Sequence, residues 1–192
     1  MASTTFASST VAMRALWRCL GRRPALGIGD EFVNTKQKDI MAKTINILVV
    51  HGPNLNLLGK RDRDKYGSLT LGEINAEISR LAAQLGVEVD FFQSNHEGAL
   101  IDYFQLDASR AAAGVLINPG ALIRYAYSFR QALVDLGKPV MEIHMSDIAK
   151  TGVNKQVNVL DDVRIGQVTG LKERSYYEGL QQLVDYIVQQ RA

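Results

Sequence analysis

The chain has 192 residues, 46% of them hydrophobic, which fits one globular domain plus an extension. No run of about 18 apolar residues marks a membrane span, and the single cysteine, Cys19, excludes an intrachain disulfide and a cysteine-rich metal site. Only three histidines are present, too few for a His-rich zinc site; the net charge of +2 comes from residues 1–40, which carry +3 and leave −1 for the body, so no basic excess points to nucleic acid.

Met1 to Gly29 contains four arginines, several Ser and Thr and no acidic residue, a composition that fits an organelle transit peptide. The alternative is an unstructured leader or a misassigned start, because Met41-Ala42-Lys43 would begin a protein just before its first strand. Residues 1–40 are therefore expected to be an extension, and residues 41–192 a single domain.

From residue 44 onward strand and helix signals alternate. Ile45–His51 reads as a strand. Thr70-Leu71-Gly72-Glu73 is a capping-box pattern, and Leu71, Ile74, Ile78, Leu81 and Leu85 follow on one helical face, with Gly86 placed to end the helix. Val87–Gln93 reads as the second strand. Ser94-Asn95-His96-Glu97 repeats the capping pattern and opens a helix through Leu100, Ile101 and Phe104, with His96 supporting its start. Gly114–Asn118 is a short apolar third strand of the kind buried on both faces. Ala121 to Leu136 reads as the third helix, Pro139–Met145 as the fourth strand and Val163–Thr169 as the fifth. Ser175-Tyr176-Tyr177-Glu178 starts a last helix with Leu180, Leu183, Val184, Ile187 and Val188 on one face. Single helices between strands imply parallel pairing with right-handed crossovers. The expected fold is α/β: a flavodoxin-like doubly wound five-stranded parallel sheet of order 2-1-3-4-5.

In such a sheet, ligands bind at the carboxyl ends of the strands. Polar residues gather there. After the first strand come Asn54, Asn56, Arg61 and Tyr66, in a Gly-, Pro- and Asn-rich loop that is a candidate lid. Ser94, Asn95, His96 and Glu97 follow the second; Asn118 ends the third; Glu142, His144 and Ser146 surround the end of the fourth. There is no Gly-x-Ser-x-Gly nucleophile elbow, no phosphate loop and no Gly-x-Gly-x-x-Gly after the first strand. What remains suits proton abstraction beside a carbonyl followed by loss of water. A nearby arginine favours a tyrosinate base, a histidine can protonate a leaving hydroxyl, and an asparagine can hold an oxyanion or an ordered water. Taken singly, these residues have plainer readings: Asn118 before Pro119 as a turn residue, His144 as a hydrogen-bonded structural histidine, Tyr66 as a packing residue.

Four stretches carry a resemblance to a known family: His51-Gly-Pro-Asn-Leu-Asn-Leu-Leu-Gly-Lys-Arg61 with Tyr66-Gly67; Gln93-Ser-Asn-His-Glu-Gly98 with Leu100-Ile-Asp102; Ile117-Asn-Pro-Gly-Ala121; and Glu142-Ile-His-Met-Ser146. Over roughly residues 44–147 the chain resembles type II 3-dehydroquinate dehydratase. The resemblance implies a lyase that converts 3-dehydroquinate to 3-dehydroshikimate by trans-elimination through an enolate. It implies Tyr66 as the base, Arg61 stabilising the tyrosinate, Asn118 orienting a water on the enolate oxygen, and His144 protonating the departing hydroxyl with Glu142 positioning it. Met145 and Ser146 would hold the substrate carboxylate, and Asn54 and Arg124 would line the substrate site. It further implies no metal, no cofactor, a cytoplasmic location, no membrane or nucleic-acid partner, and a homo-oligomer, a dodecamer built from trimers.

The departures lie around the ring hydroxyls. His51 stands where the family usually has Asn, Arg124 replaces a histidine, Gln131 replaces an aspartate offered by a neighbouring subunit, and Lys155 lies near an expected arginine. Leu171-Lys-Glu-Arg174 replaces a Gly-rich stretch. An arginine cannot accept a hydrogen bond, so altered substrate preference or weakened activity is expected. Two other readings stand beside the lyase: a same-fold relative acting on a changed polyol or keto acid, and a non-catalytic oligomeric binding protein. A flavin-binding protein is disfavoured by the lack of a Ser/Thr-rich phosphate nest in the first loop.

Overall fold

The computed structural model describes residues 44–150 and 157–191. The extension, Met41, Asn154 and Lys155 lie outside the described residues.

Strand β1 (Ile45–His51) leads through a single 3-10 turn, Leu55–Leu57, to the helical turn α1 (Arg63–Tyr66). Helix α2 (Leu71–Leu85) follows, then β2 (Val87–Gln93), α3 (Glu97–Gln105), the short α4 (Asp107–Ala111) and β3 (Gly114–Asn118). A 3-10 segment, Gly120–Arg124, precedes α5 (Tyr127–Leu136), β4 (Val140–His144), β5 (Gly166–Thr169) and α6 (Arg174–Arg191). The five strands pair in parallel in the order β2-β1-β3-β4-β5. This is the doubly wound topology expected from the sequence.

Alternation along β1 divides the core. Ile47 and Val49 point to one face, where they join Ile74 and Ile78 of α2 and Leu180, Leu183 and Ile187 of α6. Leu48 and Val50 point to the other, with Leu100 and Phe104 of α3 and Phe129 and Leu133 of α5. Burying each such side chain contributes about 1.5–3 kcal/mol before entropy is counted. Strand β3, apolar up to its final Asn118, is buried along its whole length, because helices cover both faces.

Local chemistry sets the element ends. Thr70 and Glu73 form the expected capping box on α2, and Gly86 ends that helix in the left-handed conformation. The expected capping box at Ser94 does not form. Ser94 Oγ instead accepts from the His96 amide (2.9 Å), and His96 sits at the helix start without a side-chain cap. Glu97 is drawn away to accept from the Phe129 amide (3.2 Å), capping α5 from across the fold.

Three further boundaries differ from expectation. The segment 121–136 is not one helix, because Tyr125 and Ala126 leave helical geometry and separate a 3-10 segment from α5. The fifth strand starts at Gly166 rather than Val163, because the Val163 and Arg164 amides turn back to the Leu160 carbonyl (3.0 Å each). The last helix starts at Arg174, and Ser175 Oγ accepts from the Leu171 amide (3.2 Å) rather than opening the helix as a cap.

Candidate active site

The carboxyl ends of β1 and β3 lie backbone to backbone. The Gly52 amide donates to the Asn118 carbonyl (2.8 Å), and a Cβ at Gly52 would stand 2.6 Å from the Pro119 carbonyl oxygen. Only glycine fits this approach. The chain then turns at Asn54, which holds φ at 68°, a left-handed value that Asn tolerates better than most residues. The end of β2 braces that turn: Asn95 Oδ1 accepts from the Asn54 amide (2.9 Å) and from Gln93 Nε2 (3.2 Å).

Asp62 caps α1 by accepting from the Asp64 amide (3.0 Å), which fixes Tyr66 on the last residue of that turn. The Arg61 guanidinium carbon sits 3.8 Å from the centre of the Tyr66 ring. The contact is a cation over the ring face, attracted by the ring quadrupole.

Strand β4 delivers His144 and Glu142, both buried. His144 Nε2 lies 2.6 Å from Glu142 Oε1. An ionised carboxylate can only accept, so Nε2 carries the hydrogen. Glu142 also accepts from Asn158 Nδ2 (2.8 Å), Arg164 Nη1 (2.6 Å) and Gln167 Nε2 (3.0 Å). Burial pushes the Glu142 carboxyl upward, but the His144 hydrogen bond, the charges of His144 and Arg164 and the Asn158 amide outweigh it. The net shift is downward, so Glu142 stays ionised.

Beyond β4, the Gly170 amide donates to the His144 carbonyl (3.2 Å) and the Lys172 amide to the Met145 carbonyl (2.9 Å). Thr169 Oγ1 donates to the Ser146 carbonyl (2.8 Å). The segment 144–146 is thereby held by the turn that follows β5.

A cleft of about 440 Å³ opens along this edge. Of the nine residues singled out from the sequence, Asn54, Arg61, Tyr66, Asn118, Arg124, His144, Met145 and Ser146 line it; Glu142 lies behind His144. Arg124 ends the 3-10 segment rather than starting a helix, and its Nη1 donates to the Val157 carbonyl (2.5 Å). Gln131 lies on α5 and bonds Asp135 (2.8 Å). Ile123, Tyr125 and Ile148 add apolar wall. Among the described residues, no group of three or more His, Cys, Asp or Glu side chains could hold a metal ion.

Sequence reasoning misses several residues. Asn158, which reaches Glu142, comes from a stretch without periodicity or motif, and Arg164 and Gln167 read only as members of the fifth strand. Tyr176 reads in the sequence only as part of a helix start, and Asn75 carries no signal beyond its place beside Ile74. Both belong to a buried line of hydrogen bonds that runs through His51 to Asn118.

Comparison with known proteins places the chain in a family. The family model for class II dehydroquinase matches residues 45–184. The 3-dehydroquinate dehydratase of Halothermothrix orenii is 44% identical over 141 residues, covering 73% of this chain and 95% of that protein. 3-Dehydroquinate dehydratase 1 of Ralstonia nicotianae is 40% identical over 153 residues, covering 80% of this chain and 96% of its own length. Among solved structures, the type II dehydroquinase of Butyrivibrio crossotus superposes with a TM-score of 0.69 at 33% identity, covering 73% of this chain and 97% of that one. That of Propionibacterium acnes gives 0.68 at 30% identity, covering 74% and 99%. With a family model that spans most of its length and relatives matched nearly end to end, the chain belongs to the class II dehydroquinase family.

Proposed function

We propose that the cleft dehydrates 3-dehydroquinate to 3-dehydroshikimate by trans-elimination through an enolate. Family membership supports the reaction. The observation that carries the residue roles is the convergence in one cleft of Tyr66, under the Arg61 cation, with His144, backed by an ionised Glu142.

Tyr66, as tyrosinate, takes the proton from the carbon beside the ketone, and the C–H electron pair forms the enolate. Arg61 stabilises the negative charge on both sides of that transfer. Asn118 orients a water on the enolate oxygen. As the enolate collapses, the new carbon–carbon double bond forms and the C–O bond breaks. His144 gives its proton to the departing hydroxyl, which leaves as water. Tyr66 then loses its proton to solvent and His144 regains one, so no net proton is consumed. Met145 and Ser146 hold the substrate carboxylate, and Asn54 and Arg124 complete the substrate walls. No metal or redox cofactor is needed for this balance.

Residues 41–192 are the catalytic domain in this reading, and residues 1–40 an extension. The proposed assembly is a dodecamer of four trimers. Tyr125 and Tyr127, 59% and 67% exposed beside Arg124, offer an aromatic surface for a neighbouring subunit. The proposed location is the cytoplasm, or an organelle if the extension directs import. No described helix is long and apolar enough to cross a membrane.

Ultraviolet-monitored formation of the conjugated enone from 3-dehydroquinate tests the reading. Product formation is expected; a folded sample that yields none would turn attention to a changed substrate or a binding role.

A further inference from the structure

Behind Asn118 runs a buried line of side chains. Asn118 Nδ2 donates to Tyr176 Oη (3.2 Å); Tyr176 Oη lies 2.8 Å from His51 Nδ1; His51 Nε2 lies 2.9 Å from Asn75 Oδ1. His51 and Tyr176 are both fully buried, and Asn118 nearly so. The direction of the bonds follows from the groups at the two ends of the line. The Gly120 amide can only donate, and its partner is Asn118 Oδ1 (3.3 Å). That turns the Asn118 amide nitrogen toward Tyr176. At the other end Asn75 Oδ1 can only accept, so His51 carries its hydrogen on Nε2. Its Nδ1 is then an acceptor, and Tyr176 Oη, accepting from Asn118, gives it its single hydrogen.

We propose that His51, acting through Tyr176, is a positioning residue that fixes which group Asn118 presents to the cleft. The inference rests on the water-orienting role assigned to Asn118 above. With its carbonyl oxygen committed to Gly120 and one N–H to Tyr176, Asn118 offers its second N–H to the cleft it lines. A donor there holds the oxygen of a water, whose own hydrogen reaches the enolate oxygen. A rotated amide would present an acceptor instead and would set its nitrogen against the Gly120 N–H. Burial keeps both partners in the states the line requires: it holds His51 neutral and Tyr176 protonated.

Three variants and one spectrum test this. Tyr176→Phe removes the hydroxyl and keeps the ring. His51→Leu keeps bulk and removes the acceptor. His51→Asn places an amide oxygen near the position of Nδ1 and keeps the acceptor. The enolate-side water matters most in the transition state, so Tyr176→Phe and His51→Leu should lower kcat roughly 5- to 20-fold with KM within about twofold. His51→Asn should stay within about threefold of the parent kcat. A Tyr176→Phe protein with parental kcat, or His51→Asn as impaired as His51→Leu, would overturn the proposal. Isotope-labelled histidine spectra of the parent protein read the tautomer of His51 without any turnover. An Nε2–H tautomer is expected, and an Nδ1–H tautomer would overturn the line even if the lyase assay succeeds. Absence of parental turnover with the expected tautomer would instead contradict the reaction assigned to the cleft, and with it the positioning role of His51.

Discussion

Glu142 accepts the Nε2 hydrogen bond of His144 at 2.6 Å while the Arg164 guanidinium closes on its second oxygen at 2.6 Å. The imidazole is thereby oriented with its Nε2–H on Glu142 and its Nδ1 left for the cleft, where it carries the proton that the proposed mechanism delivers to the departing hydroxyl. Glu142→Gln would set an amide NH₂ among four donors and remove the buried one of the two carboxylates that Arg164 pairs with, leaving it only the exposed Asp161. The expected outcome is a kcat lowered roughly a hundredfold and a fold destabilised by about 3 kcal/mol, read by steady-state kinetics and chemical denaturation. The folded carboxyl titrates below its unfolded value. Its stabilisation is therefore complete above the ordinary carboxylate range and is lost as pH falls through the folded value.

His51 gives a second pH signature in a different window. Burial, opposed by the Asn75 hydrogen bond, lowers its pKa from 6.5 to about 4. Between those values the unfolded chain binds a proton that the folded protein refuses. Stability is thus full above the unfolded value and falls as pH drops toward about 4. The groups that face the ring are Tyr176, Asn75 and Phe91, none of them a carboxylate that would favour the imidazolium. Between about pH 7 and pH 5 the loss from this residue should be about 2 kcal/mol. Denaturation midpoints of the parent and of His51→Asn, compared at both pH values, isolate it; equal losses in the two proteins would contradict the assignment.

Gly52 is confined by backbone rather than by flexible side chains. A methyl group there would meet the Pro119 carbonyl oxygen at 2.6 Å and its carbon at 2.8 Å. Gly52→Ala should destabilise the fold by about 2 kcal/mol or more. It should also lower activity, because relief requires moving the Asn118–Pro119 segment. Thermal melting and kinetics on the same sample would check both.

Lys172 adopts a left-handed φ of 54° in the turn that donates to the Met145 carbonyl. A non-glycine residue in that conformation costs about 1–2 kcal/mol, of which glycine would return a part in unfolded-chain entropy. Lys172→Gly is expected to stabilise the protein by up to about 1 kcal/mol with kcat unchanged. A lower melting temperature would show that the Lys172 side chain contributes more than the backbone costs.

The legibility of this fold in its sequence follows from punctuation. β1, β2 and β3 are bounded by sharp changes from β-formers to Gly, Pro, Asn or a capping pattern, and their limits match those expected. Gly86 ends α2 in left-handed geometry, at the position the sequence marks as a helix stop, and Gly137 does the same for α5 just after the expected end at Leu136. Boundaries shift where tertiary partners decide. Glu97 leaves its own helix to cap α5, and Val163 and Arg164 turn back to Leu160 before β5 begins. The cleft residues are legible because they end strands that share one sheet edge. Their supports are not: Arg164, Gln167 and Asn158 meet Glu142 from 16 to 25 residues away. Tyr176 reaches His51 across 125 residues. No local pattern encodes contacts of that range.

Proton exchange separates the step proposed for Tyr66 as base from the step proposed for His144 as acid. With 3-dehydroquinate in deuterated water, the parent should both exchange the hydrogen on the carbon beside the ketone and form product. His144→Asn should form little product yet still exchange, because the enolate forms and returns. Tyr66→Phe should do neither. Exchange at the parental rate by Tyr66→Phe would contradict the account.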